Sequence, residues 1–169
     1  MLKCAYLKTS LSILAIITFL SGCMHHVPEL GVQNNRLSPC PETPNCVNSH
    51  PETPDSQKVA PIFYTAKQSL AYARLEKLLR SHEDAIIVSR EPNLYLRADF
   101  RTPILGFIDD VEFFFQVPGV IAVRSASRIG YSDLGTNRRR IEKLRKEFSV
   151  VIAEPDTSDA SIERALLTE

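Results

Sequence analysis

The chain has 169 residues, 44% hydrophobic and 24% charged, with twenty basic and twenty acidic side chains. That length suits one globular domain, and the apolar content places it outside the range of disordered chains. So even a charge balance gives no general attraction to nucleic acid or to anionic lipid, and nucleic acid is excluded as an expected partner.

Lys3 and Lys8 flank an uncharged start, and the run from Leu11 to Leu20 is almost wholly apolar. That is the plan of a signal peptide. At about ten residues the run is too short to cross hydrocarbon, which takes roughly 20. Leu20-Ser21-Gly22-Cys23 follows it and resembles the lipobox of bacterial lipoproteins: a branched apolar residue, two small ones that let a peptidase approach, then the cysteine. The resemblance implies that residues 1–22 are a leader, that Cys23 carries lipid including fatty acyl groups such as palmitate, and that the membrane is the first partner. Several acyl chains anchor stably where a single chain binds only reversibly. Met24 is not the aspartate that favours inner-membrane retention in enterobacterial lipoproteins, which points to the outer membrane with the domain facing the periplasm. Without the leader, eighteen basic residues face twenty acidic ones, a formal charge of −2.

Residues 23–61 hold Pro28, Pro39, Pro41, Pro44, Pro51, Pro54 and Pro61 and show no apolar periodicity. They read as an extended tether and loop. Cys4 leaves with the leader and Cys23 is claimed by lipid, so Cys40 and Cys46 are the remaining pair. In an oxidising compartment a pair closing a short loop is most simply a disulfide. A redox pair or a metal site extended by His50, His25 and His26 are the alternatives, and neither has the usual spacing.

The folded part is expected over residues 62–150. Thr65-Ala66-Lys67-Gln68 has the form of a capping box, which predicts a helix start. Leu70, Ala71, Leu75, Leu78 and Leu79 then supply an apolar stripe that ends near Ser81, leaving His82 on the surface. Residues 85–90 form a short β-branched run. Leu94, Leu96, Ala98 and Phe100 alternate with polar neighbours, as do Val111, Phe113 and Phe115. Pro118-Gly119 gives a turn into a further strand over residues 120–124. A last helix is expected over about residues 133–148, with Leu134, Ile141, Leu144 and Phe148 on its stripe. An acidic tail, residues 151–169, closes the chain, with Ser158 to Leu167 reading as a short terminal helix. Helix, four strands, helix predicts an α+β fold: a four-stranded, mainly antiparallel sheet with helices packed on one face.

The densest polar constellation joins the last strand to the last helix: Arg124, Ser125, Ser127, Arg128, Asp133, Asn137, Arg138, Arg139 and Arg140. Three arginines near a helix N-terminus sit where cations are unfavourable and anions welcome, so something negative should compensate. An internal partner is available, because pairing across Pro118-Gly119 can bring Asp110 or Glu112 near Arg124. The alternative is a pocket for an anionic small molecule, or a surface for an envelope protein, since arginines grip phosphate or carboxylate in pairs. A hydrolase or transferase using Asp109, Asp110 or Glu112 as acid or base is a third reading, with no histidine or nucleophile elbow nearby to support it. Catalytic residues stay unassigned and no cofactor is expected; a metal site is not expected either, because strand alternation sends Asp109 to the opposite face from Asp110 and Glu112 and the arginines repel a cation.

The stretches Cys40-Pro41 to Asn45-Cys46-Val47, Asp109-Asp110-Val111-Glu112-Phe113, Arg124-Ser125-Ala126-Ser127-Arg128, and Asp133-Leu134-Gly135 to Asn137-Arg138-Arg139-Arg140 resemble domain of unknown function family 1499. The resemblance runs from about Leu37 to Phe148 without a clear departure in those segments. Its members occur in bacterial envelope and plastid proteins. It implies one domain carrying this polar segment, and it names no ligand.

Overall fold

The computed structural model describes residues 30–153. Cys23, the leader, His25, His26 and the expected terminal helix lie outside the described residues. In chain order the elements are β1 (Val32–Gln33), β2 (Arg36–Leu37), β3 (Cys46–Asn48), β4 (Ile62–Phe63), α1 (Gln68–Ser81), β5 (Ala85–Glu91), β6 (Tyr95–Arg101), β7 (Ile108–Val117), β8 (Val120–Ser127) and α2 (Thr136–Ala153).

Strands β5 to β8 form an antiparallel meander, because their short connections leave no room for a crossover. The sheet has six strands, not four. Strands β3 and β4 both pair antiparallel with the outer edge of β8, β3 against Arg124 to Ala126 and β4 against Val120 and Ile121. At three and two residues they are too short to show a period in the sequence.

The α+β architecture follows from the alternation. Leu96, Ala98 and Phe100 of β6, Val111, Phe113 and Phe115 of β7, and Ile121 and Val123 of β8 form one apolar face. Ala71, Leu75 and Leu79 of α1 and Ile141, Leu144 and Phe148 of α2 join the same cluster, all essentially inaccessible. Burying each such side chain contributes about 1.5–3 kcal/mol before entropy is counted. Leu134 is not part of this stripe: it precedes α2 at φ +53° and is 84% exposed. The capping box does not form either. Lys67 is the α1 N-cap without a side-chain bond, and Gln68 Nε2 instead donates to the carbonyls of Asn93 and Phe115.

Residues 30–61 are a structured part of the domain and not a free tether. Strands β1 and β2 make a hairpin whose turn residues, Asn34 and Asn35, both have positive φ, the conformation a two-residue hairpin loop requires. Leu37 packs with Tyr95 and Phe114 on the second face of the sheet, with Val32 and Ala122 alongside. The Sγ atoms of Cys40 and Cys46 stand at bonding distance, 2.07 Å. Among the described residues both apolar clusters fall within residues 32–148, so a chain beginning at Met24 retains every one of their members.

Candidate functional site

The polar stretch that looks continuous in sequence is divided by the sheet. Cross-strand register aligns Arg97, Glu112, Arg124 and Asn48 in one ladder on the second face, and Asp99, Asp110 and Ala126 in the next. Asp109 lies one residue out of phase and faces the helices.

On the second face Glu112 is inaccessible and Arg124 only 3% exposed. Arg124 Nη1 donates to Glu112 Oε2 at 3.0 Å, while Glu112 Oε1 accepts from the Tyr95 hydroxyl at 2.8 Å and from the Gly31 amide at 2.7 Å. A buried carboxylate needs such partners, since its desolvation is otherwise uncompensated. Burial beside the Glu112 carboxylate pushes the Tyr95 hydroxyl well above the ordinary tyrosine value. Nearby, Arg128 grips Asp110 with two bonds, Nε at 3.0 Å and Nη2 at 2.8 Å, and contacts Asp99 at 2.7 Å. The hydrogen bond to Asp110, with Asp99 beside it, raises the Arg128 pKa further.

On the helix face the anchor is Asn137. Asp133 accepts the amides of Gly135 and Asn137 at 2.9 and 2.7 Å, so an internal carboxylate already occupies the positive end of α2. Asn137 is fully buried. It accepts from the Ser125 hydroxyl at 2.5 Å and donates to the Asn45 carbonyl at 2.9 Å and to Ser127 at 3.0 Å. Arg140 closes the cluster, donating to Asp109 at 2.6 Å and to the Asn137 side-chain oxygen at 2.8 Å, with its guanidinium 5.1 Å above the centre of the Phe100 ring. Arg138 points away and ties α2 to the carbonyls of Ser56 and Lys58.

Beside this cluster opens a cleft of about 650 Å³, within the 300–1,000 Å³ typical of small-molecule sites. The β6–β7 loop, the β8–α2 loop and the first half of α2 line it. Of the sequence candidates, Ser127, Asp133, Arg139 and Arg140 reach it, together with Asp109. Arg124, Ser125, Arg128, Asn137, Arg138, Asp110 and Glu112 do not. Arg139 donates only to neutral oxygens, the Leu134 carbonyl and the Thr136 hydroxyl, and has no carboxylate partner among the described residues.

Sequence reasoning passed over the other wall. Ile104, Leu105 and Phe107 lie in the β6–β7 loop, and Ile104 is 94% exposed. An apolar Ile-Leu-Gly-Phe run between strands was the available signal. His82, expected on the surface, is half-buried at the edge of the cleft, with Nε2 2.9 Å from Glu147 and its ring against Phe100. Asn45 was also missed; its side chain donates to the Ser127 and Gly130 carbonyls and fixes the β8–α2 loop.

Among the described residues no group of three or more His, Cys, Asp or Glu side chains is placed to hold a metal, and no helix is long and apolar enough to cross a membrane. Neither a curated protein nor a solved structure matches the sequence. The model of the family described as Protein of unknown function (DUF1499) matches residues 36–148, more than half of the chain and every element from β2 to the body of α2, so the chain belongs to that family.

Proposed function

We propose that this chain is a lipid-anchored envelope protein whose domain binds an anionic ligand, without catalysis, in the cleft beside α2. One observation carries the reading: Arg139 stands at the cleft without a carboxylate partner among the described residues, whereas Arg124, Arg128 and Arg140 are each committed to an internal acid. An arginine left with spare donors at a concave, largely apolar surface is a ready anchor for carboxylate or phosphate. The anchor at Cys23 and a periplasm-facing place on the outer membrane rest on the leader and the lipobox-like segment. A bound envelope protein would use the same cleft.

The committed arginines favour a second, purely structural reading, in which the whole constellation serves to hold the fold. Asp109, Asp110 and Glu112 are likewise each held by a guanidinium, which leaves an acid or base role for them without a free carboxylate. The two readings separate at Arg139. The chain from Met24 to Glu169, purified gently and weighed intact under native conditions, should carry an added mass that leaves on denaturation and is missing from Arg139→Glu. A bare wild-type mass together with no measurable binding of anionic small molecules would favour the structural reading. For the anchor, Cys23→Ser should abolish fatty acyl labelling and membrane retention of the mature chain.

A further inference from the structure

The binding reading leaves the ligand open beyond its charge, and the lining of the cleft combines two chemistries. One part is cationic: Arg139 and Lys143 lie along α2, one turn apart, Lys143 with its ammonium 3.8 Å from the Glu147 carboxylate, and Arg101 ends β6. Two of the three carboxylates that border the cleft are held by strong donors. Asp133 is bound by two backbone amides, Asp109 by Arg140, and Asp84 lies 3.6 Å from His82 Nδ1. Four cationic side chains, Arg101, Arg139, Arg140 and Lys143, stand against three carboxylates in the lining, which leaves positive charge in slight excess.

Other lining side chains are apolar. Ile104 and Leu105 are 94% and 68% exposed on one loop, and Leu134, whose carbonyl accepts from Arg139, is 84% exposed on the other. A loop that holds large apolar groups in water loses the free energy their burial would give, about 25 cal/mol per Å² of surface. Clustered apolar exposure of this kind at a concave mouth marks a binding surface. A small hydrophilic anion would use the cationic side chains and leave the apolar ones wet; an uncharged hydrocarbon would do the reverse.

We infer that the ligand is an anionic amphiphile, a single acyl chain ending in a carboxylate or phosphate, with its head on Arg139 and Lys143 and its chain between Ile104, Leu105 and Leu134. This rests on the proposed anion-binding function of the same cleft. A free fatty acid and a monoacyl phospholipid share the required chemistry.

The test is a calorimetric titration of the Met24 to Glu169 chain with laurate, lauroyl lysophosphatidate, dodecanol, acetate and inorganic phosphate, all below micelle-forming concentrations. Saturable binding of laurate or of the lysophosphatidate, with dodecanol and the two small anions far weaker, is the expected result, and the tighter of the first two names the head group. Arg139→Glu and Leu105→Ser alter exposed side chains and should each weaken that binding about tenfold at an unchanged melting temperature. Acetate or phosphate binding as tightly as the chain-bearing anions would overturn the amphiphile while keeping the anion reading. Dodecanol binding as tightly as laurate would overturn both, as would no binding of any probe.

Discussion

Glu112 shows how far a single side chain's role can lie from what its position in a pattern suggests. Alternation along β7 places it on the face away from the main core, where a carboxylate would ordinarily be solvated. It is instead inaccessible, holding Arg124, Tyr95 and the Gly31 amide. Removing one member of a buried pair leaves the other charge uncompensated, so Glu112→Ala should cost about 3–5 kcal/mol, read as a lowered denaturation midpoint. The double variant Glu112→Leu with Arg124→Leu should recover much of that loss; a double variant as unstable as the sum of the two singles would show that the pair does not act as a unit. Tyr95 adds a dependence on pH. Its hydroxyl is held above the ordinary value of 10.0 by burial first and by the Glu112 charge second. Because the folded-state pKa is the raised one, the contribution is fully present below pH 10 and is lost as the unfolded chain ionises above it. Stability should therefore fall on the alkaline side of pH 10, and Tyr95→Phe should flatten that limb in a series of melts from pH 8 to 11.

At the scale of elements, what the sequence disclosed tracked the length over which a period could repeat. Strands β6 and β7 alternate over seven and ten residues, and both helices carry stripes, so their type and inward faces were legible. Strands β1 to β4 have at most three residues each, and they exist because β8 and the second face of the sheet offer partners that no local pattern reveals. Helix starts were the least legible feature. Gln68 is drawn off by two distant carbonyls, while Asp133 takes the capping role at α2 from a loop whose residues looked helical. Asp133→Ala should cost about 1 kcal/mol by freeing the amides of Gly135 and Asn137, a loss visible as a lower melting temperature and faster amide exchange there. Asp133→Asn should retain most of it. The Cys40–Cys46 link belongs to the same scale, because it closes the turn that feeds β3 into β8. Cys46→Ser should lower stability by about 2 kcal/mol in oxidised protein and change nothing in reduced protein.

For the molecule as a whole, the polar segment of the site was legible but not its partition, because only the cross-strand register decides which residues share a face. Asp109 and Asp110 are neighbours in the chain and stand on opposite sides of a six-stranded sheet. The same holds for the proline-rich N-terminal part. Prolines and absent periodicity suggested a tether, yet Gly31, Val32 and Leu37 seal the second face over Glu112, Tyr95 and Phe114. With an anchor at Cys23, Gly31 follows eight residues later, and at about 3.3–3.6 Å per residue the fold begins within roughly 30 Å of the lipid. The domain would then sit close against the bilayer. Two truncations separate cover from tether. Starting the chain at Gly31 removes only residues before the hairpin and should leave the melting temperature unchanged. Starting it at Ser38 uncovers Tyr95 and Phe114 and takes a donor from a buried carboxylate, which should cost about 3 kcal/mol or more. Equal stability of the two truncations would mean that β1 and β2 merely lie on the sheet; the expected gap would make the hairpin an integral layer of the fold, one that begins where the chain first meets Glu112.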